Sequence, residues 1–193
     1  MKAILLASAL TLTAVSAFAT PVTYKVNVGH TYPSFEADHM GGLSILQGKF
    51  NASSGTIVLD KEGKTGTVDI TIDTTTLDFG NDKLNEHAKT EPSMFDVAKF
   101  PTATFKGKLA KFEGGSPKEA VGELTLHGVT KPLTLKINQF LCKPNPMSKK
   151  EVCGADASAS FSRSDFGITY GVDNFGFKPE VKLNIEVEAD IQT

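Results

Sequence analysis

Residues 180–191 read "EVKLNIEVEADI", and their alternation decides the fold. Val181, Leu183, Ile185, Val187, Ala189 and Ile191 interleave with Lys182, Asn184, Glu186, Glu188 and Asp190. A period of two puts every apolar side chain on one face and every charged one on the other, so the segment is a strand with one wet side. At about 3.4 Å per residue it spans roughly 40 Å, long for a strand. The same alternation occurs at Val22, Tyr24, Val26 and Val28, at Val68, Ile70 and Ile72, and at Leu133, Leu135 and Ile137. "SGTIVLDKEGKTGTVDITID" (54–73) reads as a hairpin turning at Glu62-Gly63-Lys64, and "LTLHGVTKPLTL" (124–135) as another turning at His127-Gly128. "FEGGSPKEAVGEL" (112–124) supplies a third turn.

About eight amphipathic antiparallel strands in one small domain leave a sandwich or a closed barrel. A barrel removes its sheet edges, and eight strands leave room for side chains or one small ligand. Several segments carry small residues on the apolar phase: Ala155, Ala157 and Ala159 before Phe161; Ala120 and Gly122 before Leu124; Ala103 and Gly107 beside Phe105 and Leu109. Small inward residues either leave a cavity or fit a barrel's taper, and pattern alone leaves both open.

"NDKLNEHAKTEP" (81–92) interrupts the strands as a short helix. Asn81 caps it, Asp82 suits its positive end, and Glu91-Pro92 stops it. Leu84 and Ala88 stand four apart beside His87, an apolar face that needs a surface to pack on. "PSMFDVAKFP" (92–101) then returns the chain to a strand near Thr102, and Met94, Phe95 and Phe100 are placed to cover the end of an apolar interior.

Residues 1–19 have the pattern of a secretory signal peptide. Lys2 is the positive end, Ala3–Val15 an apolar run shorter than a membrane span, and Ala17-Phe18-Ala19 a small-x-small cleavage site before Thr20. Cleavage after Ala19 would leave residues 20–193, 174 of the 193, as one domain in the periplasm. The whole chain carries a formal charge of −2, and removal of Lys2 makes it −3, which argues against nucleic acid or a basic membrane-surface patch. A transmembrane barrel is disfavoured too, because it needs an outward apolar band with aromatic girdles and this chain has no Trp. Cys142 and Cys153 bracket "KPNPMSKKEV"; in an oxidising compartment they read as a disulfide closing that loop. The alternatives, a metal pair or a redox pair, lack CxxC spacing and a neighbouring His.

Catalytic signatures are few. His30, His39, His87 and His127 form no HExxH, there is no GxSxG, and nothing pairs Asp38, Asp165 or Asp173 as an acid/base couple. A metal or enzyme site is the alternative reading, and it requires His30, His39 and His87 to cluster in space.

"HAKTEPSMFDVAKFPTATFKG" (87–107) followed by "VGELTLHGVTKPLTLKI" (121–137) resembles the YceI family of bacterial secreted proteins. "GHTYPSFEADHMGGLSILQGKF" (29–50) and "FSRSDFGI" (161–168) are similar to that family's other blocks. The resemblance implies an all-β fold with a short helical insertion, an eight-stranded antiparallel lipocalin-like β-barrel. Its apolar pocket would hold an isoprenoid or another long-chain amphiphilic lipid, with no cofactor, no metal and no catalysis. Carried over by position, the family's hallmark residues are His39, His87, Phe95, Phe105, Arg163, Phe166 and Gly167. This chain departs with Leu84 where many members have Arg, with Ala88 where Leu is common, and with its cysteine loop. The expected pocket lining is Phe35, His39, Leu43, Ile45, Leu84, His87, Met94, Phe95, Phe105, Gly122, Ala157, Ala159, Phe161 and Phe166. Stable membrane insertion is not expected, and a homodimer stays open.

Overall fold

The structure, a computed structural model, describes residues 20–192; the signal-peptide reading of residues 1–19 lies outside it. Eleven strands form one sheet: β1 Val22–Val26, β2 Tyr32–His39, β3 Ser44–Phe50, β4 Ser53–Asp60, β5 Thr65–Asp73, β6 Leu77–Asp78, β7 Thr102–Ala110, β8 Glu119–Leu126, β9 Val129–Pro144, β10 Glu151–Ser162 and β11 Glu180–Ile191. Among the described residues the α-helix is α1 Asp82–Thr90, between β6 and β7.

The eleven segments occupy eight wall positions. β11 pairs with β10 along one edge; along the other it pairs with β2 through Val181–Glu186 and with β1 through Ala189–Ile191. β1 and β2 are therefore one wall strand with a break. β3 and β4 are a second, facing β2 and β1 respectively, and β6 and β5 a third, facing β3 and β4. Together with β7 to β11 they close an antiparallel eight-stranded barrel.

Local chemistry sets the breaks. Asn27 accepts a hydrogen bond from the Gly29 N–H at 3.0 Å and caps a 3-10 turn at Val28–His30. Across that gap the buried Thr31 hydroxyl takes over the ladder, lying 3.2 Å from both the Glu188 carbonyl, to which it donates, and the Glu188 N–H. Asp73 likewise caps the Thr74–Thr76 turn between β5 and β6, accepting from the Thr75 N–H at 2.9 Å.

The hairpins fall where the turn residues lie. His127 and Gly128 both have positive φ (51° and 75°), the geometry of a two-residue I′ turn between β8 and β9. Helix α1 starts at Asn81, whose side chain accepts from the Leu84 N–H at 3.1 Å, and ends where the Glu91 N–H bonds the His87 carbonyl. Its buried contact is Ala88, fully enclosed against the cluster of Phe35, Phe50, Leu77 and Val181. Leu84 is only half-buried.

Gly122 corrects one expectation. It pairs with Gly107 across β7 and β8, and a Cβ on Gly122 would fall 2.2 Å from the Lys106 carbonyl and 2.5 Å from the Gly107 Cα. The two glycines let these backbones approach closely.

Candidate ligand cavity

The inward phase of the strands surrounds an apolar cavity of about 250 Å³. β11 lines it from Val181 through Leu183, Ile185 and Val187 to Ala189. Val68, Ile70 and Ile72 of β5, Ala103, Phe105 and Leu109 of β7, and Leu133, Leu135, Ile137 and Phe140 of β9 complete much of the wall. Leu183, Ile185, Val187, Ile57, Ile70 and Ile72 all face inward yet remain only half-buried, because part of their surface lines the cavity. An apolar space of this kind offers water few partners and favours hydrocarbon.

The two ends are built differently. At the end of β10 near Glu151, Tyr24, Leu59, Cys153 and Ala189 form a buried cluster backed by Phe112 and Phe140. Here the Tyr24 hydroxyl donates to the Glu151 carboxylate at 2.5 Å, and the Lys61 ammonium lies 3.1 and 3.2 Å from the two oxygens of that carboxylate. Burial first, then the hydrogen bond to Glu151 and its charge, push the Tyr24 pKa up, keeping it a donor; the Tyr24 hydrogen bond, then Lys61, hold Glu151 below the usual carboxylate range. The Cys142–Cys153 disulfide joins directly opposed residues of β9 and β10 beside this cluster. This end is the floor.

At the opposite end, β10 leads into a 3-10 turn at Arg163–Phe166 and an irregular segment before β11. Arg163 is buried and lines the cavity; it donates to the Ile168 carbonyl at 3.0 Å and the Tyr170 carbonyl at 2.8 Å. Desolvation pulls its pKa down, opposed by the charge of Asp38. Asp38 accepts from the Gly41 and Lys178 backbone N–H groups, both at 2.9 Å, and so ties the β2–β3 turn to the segment before β11. Tyr170 and Phe177 reach the cavity with ring centroids 6.4 Å apart, and the exposed Phe175 packs against both. Just inside, Phe35 packs on Phe50, Phe79 and Phe95 at 5.6–6.0 Å. This end is the mouth.

Of the residues expected to line a pocket, Phe35, Met94, Phe95, Phe105, Ala157 and Phe161 lie on the cavity wall. The rest do not. Gly122 is occupied by backbone, as described above. Ala159 shares the inward phase and packs on the core without reaching the cavity, and Phe166 is buried edge-on against Phe161 at 5.1 Å. His39 rests against Phe177 and His87 against Tyr170, one layer outside the wall, and Leu84 faces partly to solvent. Leu43 is 75% exposed in the β2–β3 turn, and Ile45 points outward because the inward phase of β3 falls on Leu46, Gly48 and Phe50. Tyr170 and Phe177 escaped the sequence reading because residues 167–179 carry no periodicity; Arg163 was legible only through the family motif.

The three histidines of the metal alternative do not converge. His30 sits 3.8 Å from Glu188 on the barrel's flank, while His39 and His87 pack against different mouth aromatics. His127, the fourth, has Nδ1 3.1 Å from the Phe166 carbonyl and its ring 4.3 Å from that of Phe100.

Residues 24–189 match the model of the YceI-like domain. The protein YceI of Salmonella arizonae is 33% identical over 173 residues, spanning 88% of this chain and 87% of that protein. Among solved structures, BcnA of Burkholderia cenocepacia superposes with a TM-score of 0.67 at 22% identity, covering 85% of this chain and 99% of that one. A polyisoprenoid binding domain from Saccharophagus degradans superposes with a TM-score of 0.62 at 14% identity, covering 89% and 99%. These two likenesses are of fold. With the family model over nearly the whole barrel and a relative at this identity, the chain belongs to the YceI family.

Proposed function

We propose that this protein is an exported, periplasmic carrier that takes the tail of an isoprenoid-type lipid, a polyprenyl or quinone-type chain or a comparable amphiphile, into the barrel and leaves it chemically unchanged. The observation that carries this reading is the cavity itself: a hydrocarbon-lined tube running between a closed floor and a mouth that holds a buried cation. From Val181 to Ala189 the lining strand covers roughly 27 Å at about 3.4 Å per residue. Tilting by about 40°, as barrel strands do, shortens this to roughly 20 Å along the axis. That suits a tail of several isoprene units laid lengthwise. The Saccharophagus domain that shares this barrel is described as polyisoprenoid-binding, which supports the same ligand class.

Solvation of the tail by the wall is the driving force. Each methylene moved out of water contributes about 0.8 kcal/mol. A long tail summed this way would exceed the practical ceiling of roughly 18–21 kcal/mol, so ordering of the tail must offset much of it. Affinity therefore rises with tail length until the tail meets Tyr24 and then levels off. The headgroup stays at the mouth, where Arg163 spends two of its five N–H donors on backbone carbonyls and has others for a polar group. Export follows from the pattern of residues 1–19. The charged outer face of β11 argues for a carrier that works without stable insertion in a bilayer.

Mass spectrometry of an organic extract of protein purified natively from the periplasm tests the proposal. A stoichiometric isoprenoid-type lipid, unmodified after incubation, is the expected result. Extracts free of lipid, from protein that also fails to take up added polyprenol, overturn it. Recovery of the mature protein with Thr20 at its N-terminus from the periplasmic fraction tests the export step. Sedimentation at micromolar concentration decides between monomer and homodimer.

A further inference from the structure

We propose that reduction of the Cys142–Cys153 disulfide converts the barrel floor into a binding site for a thiophilic divalent cation of the zinc type, held by both thiolates and the Glu151 carboxylate. Among the described residues, these are the three groups whose ligand atoms stand together, all within 4.8 Å of one another. Glu151 lies two residues before Cys153 on β10, so both project from the same side of the strand, and Cys142 is the direct cross-strand partner of Cys153 on β9.

The sheet keeps this arrangement when the sulfur bond is gone. The Cα atoms of Cys142 and Cys153 are 4.0 Å apart, and β10 is also held from its other edge, where Cys153 pairs with Ala189 of β11. The thiols separate to van der Waals contact and go no further without breaking two ladders. A tetrahedral zinc ion takes sulfur at about 2.3 Å and carboxylate oxygen at about 2.0–2.2 Å, which puts neighbouring ligand atoms roughly 3.5–3.8 Å apart. The two sulfurs, joined in the disulfide, open to that spacing, and the Glu151 carboxylate, within 4.8 Å of both, closes to it by side-chain rotation. The Glu151 side chain is 34% exposed, so an ion can reach the site from solvent, and a water molecule can complete the tetrahedron.

The chemistry balances with a dithiol reductant. Two electrons from the dithiol break the Cys142–Cys153 bond, its two protons end on the protein thiols, and the reductant leaves as its own disulfide. Binding of the cation then releases both thiol protons to solvent. Two thiolates and one carboxylate against a divalent cation leave a single negative charge, and the Lys61 ammonium already holds the carboxylate at 3.1 and 3.2 Å. Lys61 also competes with the cation for that carboxylate, and its positive charge repels the incoming ion. The site thus opens only after the protein has met a reductant, and it sits beside the cavity that Cys153 and Tyr24 line.

Cobalt(II) is the probe, titrated under nitrogen into intact protein before and after reduction and removal of the reductant. The expected result is one cobalt per reduced chain with a thiolate-to-cobalt charge-transfer band, and none in the oxidised protein. Glu151→Gln weakens binding by at least about tenfold, and Lys61→Ala tightens it several-fold. Equal uptake by oxidised and reduced protein, no charge-transfer band, or Glu151→Gln binding as tightly as the unaltered chain overturns the proposal. The comparison of the two redox forms uses one unaltered sequence, so it stands even where a cysteine variant fails to fold.

Discussion

The floor and the mouth of the barrel close the same cavity by opposite means. At the floor the fastenings are a disulfide, a carboxylate held by a buried hydroxyl and a lysine, and a packed aromatic backing. At the mouth they are aromatic rings in irregular segments and one buried guanidinium bonded to two backbone carbonyls. Rings can swing aside on the timescale of side-chain rotation, whereas a disulfide does not. A barrel that takes in a long tail, as proposed above, needs one end that yields and one that does not, and the two ends here differ in that sense.

The largest expected effect falls on the floor. Replacing both Cys142 and Cys153 by Ser releases a loop with a sequence separation of 11. The chain-entropy estimate for a loop this short is about 3 kcal/mol, read as a lower urea midpoint with an unchanged slope. Hydrogen exchange should then rise in β9, β10 and β1 while Tyr170–Phe177 stays as before. Equal loosening at both ends would break the contrast.

At the mouth, Arg163→Met keeps the apolar stem and removes the hydrogen bonds to the Ile168 and Tyr170 carbonyls. Leaving two carbonyls without their charged partner lowers stability by about 2 kcal/mol. The loss should be confined to residues 163–179 by exchange and should speed lipid exit in a stopped-flow chase. Faster exit from the cysteine variant than from Arg163→Met would show that the floor, and not the mouth, is the gate.

Much of this contrast was out of reach of the sequence. The wall was legible because its two faces meet different surroundings: β11 alternates without a fault, and Asn81, His127 and Gly128 mark a helix cap and a turn by their own chemistry. The breaks at Val28–His30 and Thr74–Thr76 were not, since one capping side chain, Asn27 or Asp73, makes each without disturbing the hydrophobic pattern. Leu43 and Ile45 misled because hydrophobicity does not report on which side of a sheet, or on which turn, a residue falls. The mouth is formed by Asp38, Arg163, Tyr170 and Phe177, which are far apart in sequence and meet only after the barrel closes.

Halfway between the ends, Ala157 and Ala159 separate wall from core. Both are inward on β10, opposite Ile185 and Leu183, but only Ala157 borders the cavity. Ala157→Leu extends into open space, so the melting temperature holds or rises while lipid uptake falls. Ala159 is half-buried and packs on the core away from the cavity, so Ala159→Leu leaves lipid uptake as it was, and any part of the larger side chain forced into the core costs stability. Calorimetry together with lipid uptake reads the difference, and a destabilised Ala157→Leu that takes up lipid normally would mean that Ala157 does not border the cavity.

The smallest expected effect returns to the floor and concerns acid. Glu151 titrates below its ordinary value of 4.5 in the folded protein, chiefly because Tyr24 donates to it and secondarily because Lys61 lies beside it. A carboxyl whose folded pKa is depressed adds stability that is fully present above its unfolded pKa and is lost as pH falls through the folded value. The acid limb of the stability curve below about pH 4.5 therefore contains a contribution from this group. Tyr24→Phe removes the first cause while leaving the buried ring in place, so the folded pKa of Glu151 moves back toward its ordinary value. Stability at pH 7 should fall by about 1 kcal/mol, the net worth of one hydrogen bond, and the gap from the unaltered protein should narrow below pH 4.5 as the pH falls toward the lowered folded value of Glu151. Urea unfolding at pH 7, 5 and 3.5 measures this. A gap that stays constant across that range would assign the loss to packing at the floor and remove the carboxylate from the list of its fastenings.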